Sequence, residues 1–364
     1  MKALLLLIFI APSISLAYVE NVTHGYVNCM ACHVSQSGGG VLTDYGRSLS
    51  KELMSTWAGW DGIERPLFGA VSNTEAVKIG GNFRTIQTHL KNDNNSQGRN
   101  FVMQQNIEVA ARYMDLWVVA TAGVQGGPSQ TPTKNDFLSE RHYISWDVTD
   151  EIKLRGGKFR RNYGLNDPTH TRLTKSPLGF GSNSESYQLE FSKFSETDEI
   201  FLATDFGDIN DPKTTTNEKS FLINYARYIE GKSKLGVNYL YGETGASRRN
   251  LFGIYSIQKI PNEFYFKGEI DYQQNFSGET KTNLLASTLT FGYQGFKGLL
   301  PYFVVDFLQR DLKQHNTRTD LAGLGFQWFP LAHFEFQVEY HKRNDRTPRK
   351  VTSDVSWLMF HFYL

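Results

Sequence analysis

The run Phe334-Glu335-Phe336-Gln337-Val338-Glu339-Tyr340-His341 decides the fold. In an extended chain, successive side chains point to opposite faces. Phe334, Phe336, Val338 and Tyr340 therefore share one face, and Glu335, Gln337, Glu339 and His341 share the other. Phe264–Gln273 repeats the pattern, with Phe264, Phe266, Gly268, Ile270 and Tyr272 opposing Tyr265, Lys267, Glu269, Asp271 and Gln273. In Phe101–Arg112, the residues Phe101, Met103, Ile107, Val109 and Ala111 mostly oppose Gln104, Asn106, Glu108 and Arg112. An apolar face backed by charges and amides suits a barrel with lipid outside and water inside. A large soluble all-β protein alternates as well, so the connections have to decide.

About 16 such strands fit between residues 76 and 364, and a single-chain bacterial barrel requires an even number. Tight connections fall at Met114-Asp115, Glu230-Gly231-Lys232 and Pro261-Asn262, among others. They alternate with longer ones near 91–99, 127–137, 164–183, 208–218, 244–248, 277–281, 312–317 and 344–352. Outer-membrane barrels have short periplasmic turns and longer external loops. Leu358, Phe360, Phe362 and Leu364 alternate up to the last residue. That ending is similar to the C-terminal strand signal of outer-membrane barrels, with Leu364 where Phe is usual. The expected fold is all-β: an antiparallel transmembrane β-barrel of about 16 strands over 75–364, in a bacterial outer membrane.

The chain begins like a secretory signal peptide. Lys2 precedes an apolar run, Ala3–Ile10, too short to span a bilayer. Ser15-Leu16-Ala17 suits cleavage, which would make 1–17 the signal and Tyr18 the first mature residue. No stretch of 18 apolar residues follows. The 38 Lys and Arg balance 37 Asp and Glu, so nucleic-acid binding has no electrostatic support. Aromatic residues are abundant, with 26 Phe, 18 Tyr and 6 Trp, as a lipid-facing barrel would use them.

Residues 18–74 differ from the rest. They contain Cys29-Met30-Ala31-Cys32-His33, the C-x-x-C-H attachment signature of c-type haem, and its cysteines are the only two in the chain. Each thiol can add to one porphyrin vinyl group, and the adjoining His33 supplies the proximal iron ligand. A short-loop disulfide is the competing reading. A zinc site would need more ligands than nearby His24 provides. A helix is expected near Asp44–Trp57, from Leu49 and Leu53 one turn apart, with Thr43 or Asp44 as N-cap. The segment is too small to bury a core alone, and one covalent haem c would supply much of it. Met54 or His24 could be the distal ligand, although Met54 also suits a packed helix face. Arg47 could pair with a haem propionate or lie exposed. Gly38–Gly40 would let backbone approach the porphyrin, or form an ordinary loop.

The longest loop, Gly164–Asn183, holds His170, Arg172 and Lys175, just after Arg160 and Arg161. It reads as a plain surface loop, or as one folded inward to place basic groups over the lumen. Lys267, Glu269, Asp271, Glu335 and Glu339 read as a solvated pore wall. The carboxylate pairs Glu269 with Asp271 and Glu335 with Glu339 could hold iron transiently, though their spacing does not demand it.

An exported chain with one N-terminal C-x-x-C-H and a barrel of about 16 strands resembles the fused monohaem cytochrome–porin family. Residue by residue, the resemblance covers Cys29, Cys32 and His33. It implies an outer-membrane protein that passes single electrons through one haem, between a periplasmic electron carrier and an extracellular donor or acceptor. Oxidation of ferrous iron is the activity noted in that family. The predicted topology puts the N-terminal segment on the periplasmic side. A diffusion porin with the haem segment as plug or gate is the alternative.

Overall fold

The structure is a computed structural model that describes residues 19–71, 74–126, 137–181, 184–207, 217–245, 247–347 and 349–364. The expected signal peptide lies outside the described residues.

Sixteen antiparallel strands form one closed barrel. They are β1 Val77–Asn92, β2 Asn95–Tyr113, β3 Leu116–Gln125, an interrupted β4 (Phe137–Leu138 continued by His142–Asp147), β5 Ile152–Arg160 and β6 Glu185–Phe194. There follow β7 Asp198–Asp205, β8 Lys219–Ile229, β9 Ser233–Thr244, β10 Ser247–Ile260 and β11 Phe264–Ser277. The last are β12 Thr280–Tyr293, β13 Leu299–Gln309, β14 Arg318–Trp328, β15 Phe334–Asp345 and β16 Val351–Tyr363. Both pieces of β4 pair with β3, so they make one strand. The first strand pairs with the last, from Asn82 opposite Tyr363 to Lys91 opposite Asp354. Closure leaves no sheet edge, as a membrane-spanning sheet requires.

The alternation holds where it reads most clearly. Ile270, Leu324, Tyr340 and Leu358 point outward and are exposed, whereas Glu269, Asp271, Glu335 and Glu339 point inward. One strand departs from the reading. Asn106 and Glu108 face the lumen, yet Phe101 and Met103 line the lumen too. The pairing of β1 with β2 slips between Arg84 and Thr85, where Gln104 is followed by Val102 and Met103 is left over. An extra residue in one strand reverses its alternation, so Phe101 and Met103 do not belong with Ile107 and Val109.

Three expected long loops are tight hairpins. Asp93-Asn94 joins β1 to β2, Gly278-Glu279 joins β11 to β12, and β9 and β10 stay paired out to Thr244 opposite Ser247. The strands run on into these turns, so the chain length goes into ladder hydrogen bonds. The Asn92 side chain accepts from the Asn94 and Asn95 amides at 3.0 and 2.8 Å and fixes the first of them. At the other end all connections among the described residues are short, and both the start of β1 and Leu364 lie there.

The segment after β5 folds into the barrel. Leu173, Leu178 and Phe180 join Leu222, Leu240 and Leu251 of the wall in one buried cluster. Arg172 holds Glu339 with both terminal nitrogens at 3.0 and 2.7 Å, and the Tyr302 hydroxyl donates to the same carboxylate at 2.8 Å. Lys175 donates to Glu269 at 3.1 and 2.8 Å, and Lys267 meets Asp167 at 2.7 Å. Arg161 pairs with Asp205 and Glu218. These basic groups are therefore committed to wall carboxylates and do not stand over an open pore. The expected solvated wall is instead buried: Lys267, Glu269, Asp271 and Glu339 lie against the inward segment, and Glu335 pairs with His361 of the wall.

Removing one partner of a buried bidentate pair strands the other charge, at a cost of roughly 3–5 kcal/mol. Arg172→Ala should sit at the lower end of about that range, because Tyr302 and His341 still reach Glu339. The expected result is a lower temperature for the heat-induced mobility shift of the barrel on gels, with the purified variant still forming a barrel.

Candidate functional site: a cysteine–histidine motif inside the barrel

Residues 19–71 do not join the barrel wall. Their first part sits inside its tight-turn mouth and is tied to the wall around much of the circumference. Val22 packs with Leu165, Ala226, Tyr255 and Ile257. Gln36 donates to Ser145 at 2.6 Å, and Arg155 donates to Ser35 and Ser37 at 3.1 and 3.2 Å. The Val41 amide donates to Glu108 at 2.9 Å, and Arg141 holds the same carboxylate at 3.0 Å. Asp44 meets Lys78 at 2.7 Å, and Ser50 contacts the Tyr363 hydroxyl at 2.7 Å.

The motif itself is compact. Cys29–Ala31 makes a single tight helical turn, in which the Cys32 and His33 amides donate to the Cys29 carbonyl at 3.2 and 3.0 Å. The chain then reverses through Gly38, Gly39 and Gly40, all left-handed with φ of 81°, 72° and 70°. Residues with a Cβ resist that conformation. Space is short there as well: a Cβ on Gly38 would lie 3.2 Å from the Cys29 sulfur, and one on Gly40 would strike the Glu108 carboxylate. After the reversal His33 bridges to Leu42, and the Val34 amide donates to the Val41 carbonyl at 3.0 Å.

Thr43 joins motif and helix. Its amide donates to the Cys32 carbonyl at 2.9 Å, its hydroxyl donates to the Ala31 carbonyl at 3.1 Å, and the same hydroxyl accepts from the Gly46 amide at 3.0 Å. The last bond is the expected N-cap. The helix is Asp44–Leu49, continued by a wider turn over Ser50–Met54. Gly46 lies against the Cys32 backbone, where a Cβ would come within 2.9 Å of the Cys32 Cα. The widened turn sets Gly46, Ser50 and Met54 on one side, all lining the same cavity as the motif.

That cavity has a volume of about 990 Å³. Pockets for drug-sized ligands and cofactors run to roughly 300–1,000 Å³. Cys29, Cys32 and His33 line it from the N-terminal segment, and His170 lines it from the inward segment. Across from them stands a wall unusual for a lumen. Ile86 lies opposite both Phe101 and Met359, and Thr88 opposite Trp357, all on the inner face of β2, β1 and β16.

The two thiols are not bridged to each other. Burial pushes Cys29 up to about 11 and Cys32 up to about 12, so both are protonated at neutral pH. Burial also pulls His33 down to about 4, against the Gly40 carbonyl, and leaves the imidazole neutral as a metal ligand must be. Burial likewise lowers His170 to about 4, with Arg160 and Arg84 adding to the effect. His24 is not among the residues that line the cavity and lies near Lys259, Glu263 and Gln294 at the rim. Arg47 is neither exposed nor among the cavity residues. It is buried and donates to the Ile79 carbonyl, which anchors the helix to β1. The site thus gathers Cys29, Cys32, His33, Gly38–Gly40 and Met54 and leaves out His24 and Arg47. Nothing in the spacing of β1, β2 and β16 announces their apolar lumen wall, because alternation alone does not say which face is inner.

No family model and no curated protein matches the sequence. Among solved structures, OmpT from the outer membrane of Vibrio cholerae superposes with a TM-score of 0.62 at 10% identity, over 81% of this chain and 100% of its own. The fold is that of the outer-membrane porins. The anion-selective porin of Comamonas acidovorans gives 0.61 at 8% identity, over 79% of this chain and 99% of its own. The channel DcaP of Acinetobacter baumannii gives 0.59 at 12% identity, over 81% and 99%. The porin fold and the outward apolar band agree on an outer-membrane barrel.

Gly46→Val should separate the helix from the motif, since overpacking of this kind costs about 1–3 kcal/mol. Limited proteolysis is expected to cut residues 44–60 faster in this variant while leaving the barrel fragment intact.

Proposed function

We propose that this porin-type barrel is an outer-membrane electron conduit, holding one covalent haem c in its lumen and passing single electrons between the two sides. The observation that carries this reading is the position of Cys29, Cys32 and His33, inside the barrel and facing a cavity of cofactor size. The residues fit the group. Two protonated thiols, Cys32 buried and Cys29 half-buried, stand one helical turn apart, a neutral imidazole follows, and glycines keep the adjoining backbone close to the sulfur. The apolar wall of Ile86, Phe101 and Met359 suits a macrocycle better than the water of an ordinary pore. When bound, haem would supply a reversible one-electron iron couple.

Each residue then has a task. Cys29 and Cys32 would anchor the group and His33 would bind its iron. Thr43 and the Glu108–Arg141 pair fix the motif against the wall. Met54 would be the second residue to hold the iron, because it shares the cavity and His24 does not. Short turns mark the periplasmic end of outer-membrane barrels, which would put the motif within reach of a periplasmic carrier. The outer partner is a small external donor or acceptor, and iron is suggested by the family resemblance alone. Glu269, Asp271, Glu335 and Glu339 are poor iron ligands, since Lys175, Tyr163, His361 and Arg172 already engage them.

A second reading, a diffusion porin with the N-terminal segment as plug, is favoured by the porin fold itself. The two part on one preparation. The intact protein in liposomes should keep haem through a denaturing gel, bleach a trapped reducible dye when an impermeant reductant is added outside, and conduct ions poorly. Cys29→Ser with Cys32→Ser should lose haem and bleaching and keep a heat-modifiable barrel. Bleaching at the wild-type rate in that variant would overturn the conduit, and high conductance of the intact protein would favour the porin. Met54→Ala should convert a six-coordinate low-spin spectrum to high-spin and lower the potential, since a methionine ligand raises it.

A further inference from the structure

Between the lumen and the first strand, the chain leaves the barrel. The Thr56 amide donates to the Phe329 carbonyl at 2.8 Å, and the Trp57 amide to the Pro330 carbonyl at 3.0 Å. Residues 55–57 thus cross the rim at the turn between β14 and β15. His333 of that turn bridges the Ile63 and Tyr363 carbonyls, each at 2.6 Å, and Ile63 is fully buried. Lys51 ties the strap to the plug through Asp61 and Glu64, both at 3.4 Å.

Outside the rim the strap meets the lipid-facing side of the barrel. The Trp57 ring stands edge-on to Trp328 at 5.8 Å, and the Trp328 indole N–H donates to Thr56 at 3.1 Å. Phe68 stacks on Phe334 at 6.3 Å and touches Phe362 at 5.9 Å. Trp60 lies 6.2 Å from Phe68. Trp328, Phe334 and Phe362 belong to the outward faces of β14, β15 and β16, where Phe336 and Phe360 continue the aromatic belt. Leu67 and Phe68 are held with φ of 48° and 58°, a backbone that residues bearing a Cβ avoid. That turn swings Phe68 onto the belt.

Yet the strap's own apolar groups stay uncovered. Trp57 and Trp60 are 55% and 56% exposed, and Leu67 and Phe68 are 47% and 40% exposed. Four large side chains left open side by side would be costly in water. Tryptophan and phenylalanine at the edge of a hydrocarbon band are what the interface of a bilayer takes up. The strap is continuous with the lipid-facing belt, which names its occupant. We infer that residues 55–71 form a membrane-interface anchor, whose Trp57, Trp60, Leu67 and Phe68 insert among the lipids of the leaflet at the tight-turn end. The strap tethers the lumen segment to the membrane as well as to the barrel. This rests on the outer-membrane fold and not on the presence of haem.

The test uses the full chain in phosphatidylcholine liposomes whose acyl chains are brominated near the headgroup. The emission contributed by Trp57 and Trp60 is the difference between the protein and its Trp57→Phe, Trp60→Phe variant. That difference should be quenched severalfold by the brominated lipid and little affected by iodide in the buffer. Equal emission in brominated and plain lipid would overturn the anchor. Strong iodide quenching with no bromine effect would also overturn it, in favour of a face for a soluble protein. Trp60→Phe alone gives the same readout if the double variant fails to fold, since Trp60 makes its ring contact only with Phe68 among the described residues.

Discussion

Everything in this molecule depends on closing the sheet. A strand that crosses hydrocarbon finds no water for its N–H and C=O groups, so each must pair with another strand. Here the last strand completes the ring by pairing with the first over ten consecutive positions. The site depends directly on that seam. Arg84, Ile86 and Thr88 of the first strand face the same cavity as His361, Met359 and Trp357 of the last. The apolar lumen wall therefore exists only in the closed barrel.

The second constraint is what fills the interior. A ring of sixteen strands leaves room for a water channel, and this chain occupies much of the room with itself. The inward segment brings Arg161, Arg172 and Lys175 to carboxylates on distant strands, and the N-terminal segment brings Val22, Gln36 and Val41 to others. Buried charges of this kind are tolerated because each is paired and hydrogen-bonded. Two fillings from opposite sides leave a cavity lined by both segments and by the wall.

Much of the wall was legible in the sequence because period-two alternation is a local signal. The run 334–341 carries its own faces, and its two neighbours can be placed from turn lengths. The bulge at Met103 was not legible, since one extra residue looks like imperfect alternation until the partner strand is seen. The inward fold of 164–181 stood as one of two readings. Its reason is the meeting of Arg172 with Glu339 and Lys175 with Glu269, residues far apart along the chain. At the site, C-x-x-C-H stood out by its spacing alone, but that spacing did not say that it would sit in a lumen. Met54 and His24 were both candidates on paper. The wide turn at Ser50–Met54 carries one to the cavity, and the rim holds the other.

The position of Cys29 and Cys32 also fixes an order of events. Both sulfurs lie within the ring of strands, beneath a segment fastened to the wall on many sides. Cys32 is buried and Cys29 half-buried, which would leave a modifying enzyme little access to them there. On the proposed reading, a group carried by these cysteines would be attached while the chain is still open, and the barrel would then close around a finished insert. Maturation of the N-terminal segment would thus precede membrane insertion, and a chain that skipped it would close into an empty barrel that could not be filled afterwards.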